Sequence, residues 1–214
     1  MKKTFAALSL LLCMSFAPVK KNRIVFFGDS ITQAGVNEGG YITRLKKMMP
    51  ADAELIGAGI GGNKVYDLYL RMEDDVISSK PDAVVIYVGI NDVWHKTTSG
   101  TGTDRDKYEK FYMAIIKKLQ AKNIKVFVCT PTVIGEKKQD ANPQDADLNA
   151  YSEIVRKVAT ATGSTLIDLR AAFRSYLLAN NPDDKESGIL TTDRVHLTEK
   201  GNQLVADEML KALK

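Results

Sequence analysis

The chain is short of the residues that build covalent or metal-held frameworks. Its 214 residues include two cysteines, Cys13 and Cys129. Cys13 lies in an N-terminal segment expected to be removed, which leaves Cys129 inside the apolar run IKVFVCT. One thiol excludes an internal disulfide, and without clustered cysteine or histidine it excludes a zinc site. Cys129 therefore reads as core, and no metal or cofactor is expected. Histidine is equally scarce, with only His95 and His196. No basic stripe stands out, since 30 Lys and Arg are mixed with 26 Asp and Glu. The net charge of +4 falls to +2 if Lys2 and Lys3 leave with the N-terminal segment. That balance argues against a nucleic-acid partner. Internal repeats and linkers are also lacking. The composition, 44% hydrophobic and 26% charged, suits one globular domain and excludes a mainly disordered chain.

No apolar run is long enough for an ordinary membrane span. The N-terminus, MKKTFAALSLLLCMSFAPVKKNR, places two lysines before an apolar stretch from Phe5 to Ala17 and then turns polar. This is the layout of a signal peptide, read over residues 1–19, with the domain over 20–214. It predicts an exported protein, periplasmic or secreted. Ser15-Phe16-Ala17 resembles a small-x-small cleavage site, although Pro18 follows it directly. Cys13 follows LLL and lacks the small residue expected before a lipid-modified cysteine, so a lipoprotein is not favoured.

What the chain does have is alternation. RIVFFG (23–28), AELIGA (53–58), AVVIYVG (83–89), IKVFVCT (124–130) and TLIDL (165–169) are short, β-branched and bounded by turn formers, as buried strands are. Amphipathic stretches lie between them. One runs over about 104–122, with Tyr108, Phe111, Tyr112, Ile115, Ile116 and Leu119 on one face and a capping-box start at Thr103 and Asp106. A second covers about 146–162 and stops at Gly163; a third carries Tyr41, Ile42, Leu45, Met48 and Met49 and ends at Pro50. The last begins near Thr198 and carries Leu204, Val205, Met209 and Leu213. Repeated strand–helix alternation implies an α/β fold, a parallel sheet with helices on both faces. Stretches 95–103, 131–145 and 180–192 lack periodicity and read as loops of the kind that border a site.

Ligands of an open parallel sheet bind beyond the carboxyl ends of its strands. GDSIT follows the first predicted strand, GAGIGGNK the second, GINDVWH the third, and the chain beyond the fifth reaches DRVH. Ser30 at a strand-to-helix turn fits a helix N-cap or a nucleophile. A nucleophile needs a base and an orienting acid, and Asp193 and His196, three residues apart, can supply them from one turn. Gly57, Gly59 and Gly62 also spell the dinucleotide pattern G-x-G-x-x-G. An acidic residue should then follow by about 20 positions at the end of the next strand, but that strand ends near Gly89 and Asp92 lies 30 residues past Gly62. Gly62 instead fits a backbone donor brought close to a ligand, where a side chain would block the approach. Asn91, directly after a buried strand, fits either a turn hydrogen bond or a donor to an oxyanion. His95 has no acid at a telling spacing and reads as a solvated or substrate-lining residue.

Taken together, FFGDSITQ, GIGGNK, VGIND and DRVHLTEKG resemble the successive sequence blocks of the GDSL esterase/lipase family, also called SGNH hydrolases, from about residue 23 to the end. The resemblance implies a three-layer α/β/α sandwich with a five-stranded parallel sheet, flavodoxin-like in outline. It implies Ser30 as nucleophile, His196 as general base and Asp193 as its orienter. The Ser30 N–H, the Gly62 N–H and the Asn91 side chain would form the oxyanion hole. Two positions depart from the family pattern: Gly57 stands where asparagine is common, and Leu197 where proline often follows the histidine. The expected reaction is hydrolysis of a carboxylic ester without a cofactor. The polar loops favour a small acyl group on a polar alcohol, such as an O-acetyl group on carbohydrate. A lysophospholipase or thioesterase of the same family, and a non-catalytic carbohydrate-binding protein, are the alternatives. Oligomeric state is left open.

Overall fold

A computed structural model describes residues 22–214. The predicted signal segment at 1–19, with Cys13, lies outside them. The five β-branched runs form strands β1 (Asn22–Gly28), β2 (Ala53–Gly59), β3 (Ala83–Tyr87), β4 (Lys125–Cys129) and β5 (Thr165–Ile167). All pair in parallel in the order β2-β1-β3-β4-β5. Parallel strands with helices on both faces are buried throughout, which explains runs such as Ile24–Phe27 and Val84–Ile86 with almost no exposure.

Among the described residues eight α-helices connect and cover the sheet: α1 (Ser30–Gly35), α2 (Tyr41–Met48), α3 (Val65–Asp75), α4 (Ile90–Thr98), α5 (Arg105–Gln120), α6 (Asp145–Thr162), α7 (Leu169–Asn180) and α8 (Glu199–Leu213). α1, α2, α7 and α8 cover one face and α3, α5 and α6 the other, giving three layers. The apolar faces read from the sequence are the buried ones. Tyr108, Tyr112, Ile115, Ile116 and Leu119 of α5 are fully buried, as is Cys129, whose thiol burial pushes upward. α6 stops at Gly163, whose φ of 66° supplies the left-handed C-cap. Thr198 caps α8 by accepting from the Gly201 N–H at 3.1 Å.

Three local expectations are corrected. α5 begins at Arg105 behind Asp104, which makes no side-chain cap bond, so the Thr103–Asp106 capping box does not form. The third and fifth strands end earlier than predicted. Gly89 precedes the first turn of α4, and Leu169 already belongs to α7. The stretch 95–103 is not wholly a loop, because α4 continues through Thr98 and carries His95. Thr97 and Thr98 are exposed and half-buried Lys96 lies over the Tyr151 ring at 4.7 Å, so the last turn of α4 carries no apolar residue to mark the period.

Candidate active site

β1 delivers Ser30 to the carboxyl edge of the sheet. Asp29 caps α1, its side chain accepting from the Ile31 N–H at 3.0 Å, and Ser30 opens the helix half-buried. The turn is tight because Gly59 of β2 lies against it: a Cβ at Gly59 would collide with the Gln33 N, the Thr32 carbonyl carbon and the Asp29 O. Gly57 and Gly59 of the glycine pattern thus serve packing. A side chain at Gly57 would run into Val36, which accounts for the missing asparagine there.

Between β2 and α3 the chain turns over Ile60–Asn63, closed by the Asn63 N–H to the Ile60 O at 3.3 Å. Gly62 is the third residue of that turn and has φ of 77°, a value that glycine adopts at no steric cost. Asn91, in the first turn of α4 and 3% exposed, donates from Nδ2 to the Asn63 O at 3.0 Å. An amide nitrogen carries two hydrogens, so this bond leaves a second to aim elsewhere. Arg71 of α3 secures the same turn. It donates to the Asn63 Oδ1 at 2.7 Å and to the carbonyls of Gly28 and Ala58 at 2.8 and 3.0 Å.

The last block forms a small hairpin ahead of α8. Thr191 and Leu197 bridge antiparallel, with the Thr192 N–H on the His196 O at 2.7 Å and the Thr198 N–H on the Leu190 O at 2.9 Å. Neither bond uses the Leu197 N–H, so the bridge itself does not require a donor at that position. At the tip, Arg194 takes φ of 81°, and the N–H groups of Val195 and His196 both donate to Asp193 Oδ1, at 3.1 and 2.7 Å. His196 Nδ1 meets Asp193 Oδ2 at 2.6 Å, and Nε2 meets Ser30 Oγ at 3.0 Å. Burial pulls the Asp193 carboxyl up, but the His196 side chain and the two backbone donors outweigh it and hold the group below its ordinary range. An ionised carboxylate only accepts, so Nδ1 carries the proton of a neutral imidazole and Nε2 is left to accept from Ser30. The arrangement can therefore take a proton from Oγ and return it.

Sequence reasoning placed Ser30, Gly62, Asn91, Asp193 and His196 at one edge, and the structure brings Ser30, Asp193 and His196 into direct contact. His95 is half-buried on α4, with Cε1 4.0 Å from where a Gly62 Cβ would stand, so it borders the site. Burial, and then the charge of Lys64, lower its pKa. Trp94 was missed. Its ring meets that of His196 edge-on at 6.4 Å. The signal was available: Trp94 is the single tryptophan and stands three residues after Asn91, one turn along the same helix face. Asp29 and Asp92 sit beneath the site, both buried. Desolvation raises them to about 7 and about 6 despite their hydrogen bonds, and for Asp29 the neighbouring Asp92 adds to the rise. A cavity of about 330 Å³ between 133–145 and α7 is lined by none of Ser30, Asp193 and His196 and is a separate feature.

Comparison with known proteins gives the family. The model of the GDSL-like lipase/acylhydrolase family matches residues 26–204. An acetylxylan esterase from Geobacillus stearothermophilus is 31% identical over 89% of this chain and 93% of its own. The crystal structure of the acetyl xylan esterase AlAXEase is 61% identical, covers 90% of this chain and 100% of that one, and superposes with a TM-score of 0.88. Axe2, an acetylxylan esterase from Geobacillus stearothermophilus, superposes at 0.78 with 27% identity over 90% of this chain and 94% of its own. Its solved structures include catalytic mutants in which a serine and a histidine are replaced by alanine. This chain belongs to the GDSL-like lipase/acylhydrolase family and is a carboxylic ester hydrolase.

Proposed function

We propose that the protein removes small acyl groups, acetyl above all, from carbohydrate esters, with Ser30 as nucleophile, His196 as general base and acid, and Asp193 as orienter. The observation that carries this reading is the continuous line from Ser30 Oγ through both ring nitrogens of His196 to Asp193, at 3.0 and 2.6 Å. Ser30 Oγ attacks the ester carbonyl carbon while its proton passes to Nε2. The carbonyl oxygen becomes an oxyanion held by the N–H groups of Ser30 and Gly62 and by Asn91 Nδ2. Collapse breaks the bond to the alkoxy oxygen, which leaves as the alcohol with the proton from Nε2. Water then gives a proton to Nε2 as it attacks the acyl carbon, and collapse returns the proton to Oγ and frees the acid.

The similarity to acetylxylan esterases supports an acetylated carbohydrate as substrate, and the polar loops support a small acyl group. The signal-peptide layout supports action after export, where such polymers lie. The test is acetate release from acetylated xylo-oligosaccharides beside a p-nitrophenyl ester series from acetyl to palmitoyl. Acetyl esters should be the best substrates and activity should fall steeply with chain length. Faster turnover of long chains would contradict the reading.

A further inference from the structure

We propose that Glu136 is a positioning residue for the reaction: its carboxylate holds the hairpin that presents Asp193 and His196 to Ser30. This rests on the reading of those three residues as the reacting set.

Glu136 lies in what the sequence presents as a polar loop, GEKKQDANPQD, yet it is fully buried. Its oxygens accept four hydrogen bonds. Oε2 takes the Ile189 N–H at 2.9 Å, and Oε1 takes the Leu190 N–H at 2.7 Å, the Thr191 N–H at 2.5 Å and the Thr191 hydroxyl at 2.8 Å. These donors form the entry arm of the 191–197 hairpin. That segment belongs to no strand of the sheet, so no neighbouring strand satisfies its amides. The carboxylate does so instead.

The preceding residue grips the other end of the device. The Gly135 N–H donates to the Arg194 O at 2.8 Å, at the left-handed residue between Asp193 and Val195. Two adjacent residues thus fix both the stem and the tip of the hairpin. Glu136 is itself anchored by its N–H on the Glu186 O at 3.0 Å and by Asn181 Nδ2 on its carbonyl at 2.8 Å. Only an acceptor-only group satisfies four converging donors, and charged acceptors make the stronger bonds. Glutamine has nearly the same shape but must turn an NH₂ toward one of those donors. The hairpin then shifts, and His196 Nε2 moves relative to Ser30 Oγ.

The test compares wild type, Glu136→Gln, Thr191→Val and Ser30→Ala on p-nitrophenyl acetate, well below each melting temperature, with the folded fraction measured by circular dichroism. Misplacement of a reacting group by about 1 Å can cost on the order of 10²-fold, so Glu136→Gln should lose about that much in kcat per folded molecule with KM little changed. Thr191→Val, which removes one donor and keeps the carboxylate, should lose less in the same direction. The low-field proton resonance of the His196–Asp193 bond should shift or broaden in Glu136→Gln. A lowered melting temperature with wild-type kcat per folded molecule and an unchanged resonance would overturn the proposal. The same holds for Thr191→Val at full kcat should Glu136→Gln fail to fold. Hydrolysis that persists in Ser30→Ala would instead sink the reading of the reacting set, whatever Glu136→Gln does.

Discussion

At the scale of single residues the site sets two kinds of carboxylate side by side. Asp193 is held ionised by the donors around it, whereas burial drives Asp29 and Asp92 toward the neutral form. The two have opposite consequences for stability. A carboxylate depressed in the folded state, such as Asp193, contributes stability above its unfolded pKa that is lost as pH falls through the folded one. A carboxyl raised in the folded state, such as Asp29, contributes fully below its unfolded pKa of about 3.9 and loses that contribution as pH rises. For Asp29 the loss runs through its folded value of about 7. Asparagine can still cap α1 but has no charge to bury. Asp29→Asn should therefore gain stability relative to wild type as pH rises from about 4 to 8, by up to a few kcal/mol. Urea denaturation across that range measures it, and a difference independent of pH would show that Asp29 does not titrate in the window.

At the scale of elements, the chain's legibility differed sharply between strands and loops. The strands were readable as short continuous apolar runs because both faces of the sheet are covered, and α2, α5, α6 and α8 because burial of one face imposes a period of 3.6. α1, α3, α4 and α7 were not singled out. α1 has only six residues, and the polar tail of α4 resembles a loop in composition. The segments 131–145 and 181–198 are illegible for a different reason. Their order comes from buried polar pairs distant in sequence, such as Glu136 with 189–191, which leave no local pattern.

The strongest such tie joins α6 to α7. Arg170, 2% exposed, pairs with Asp145 at 2.7 Å and donates to the Thr132 O and the Asn149 Oδ1, each at 2.9 Å. Removing Arg170 leaves the Asp145 charge buried with only the Asn142 N–H and Nδ2 on its other oxygen, at 2.9 and 2.8 Å. Arg170→Ala should cost roughly 3–5 kcal/mol, and the double replacement Arg170→Met with Asp145→Leu should recover much of it. Thermal and urea unfolding of the three proteins decide this. A cost below about 1 kcal/mol for the single change would mean that water reaches Asp145.

At the scale of the whole molecule, residues from four distant segments meet because the sheet order reverses at β1. β2 lies on one side of β1 and β3 on the other, so the chain ends carrying Ser30, Gly62 and Asn91 are neighbours at one edge. α8 packs across α2 and beside β5, and sets the hairpin ahead of it over Ser30. The same order explains why four sequence blocks far apart in the chain could be read together as one site. Trp94 and Glu136 escaped that reading because one lay on a helix taken for a loop's approach and the other in a loop read only as polar.

The central claim is that Ser30 carries the acyl group. The measurement is steady-state hydrolysis of p-nitrophenyl acetate by wild type and Ser30→Ala, with the intact mass recorded after treatment with a fluorophosphonate. The account predicts a loss of at least about 10⁴-fold in kcat for the variant, and a single mass addition in wild type that is missing from Ser30→Ala. Hydrolysis at a comparable rate in Ser30→Ala, or labelling that survives the substitution, would contradict it.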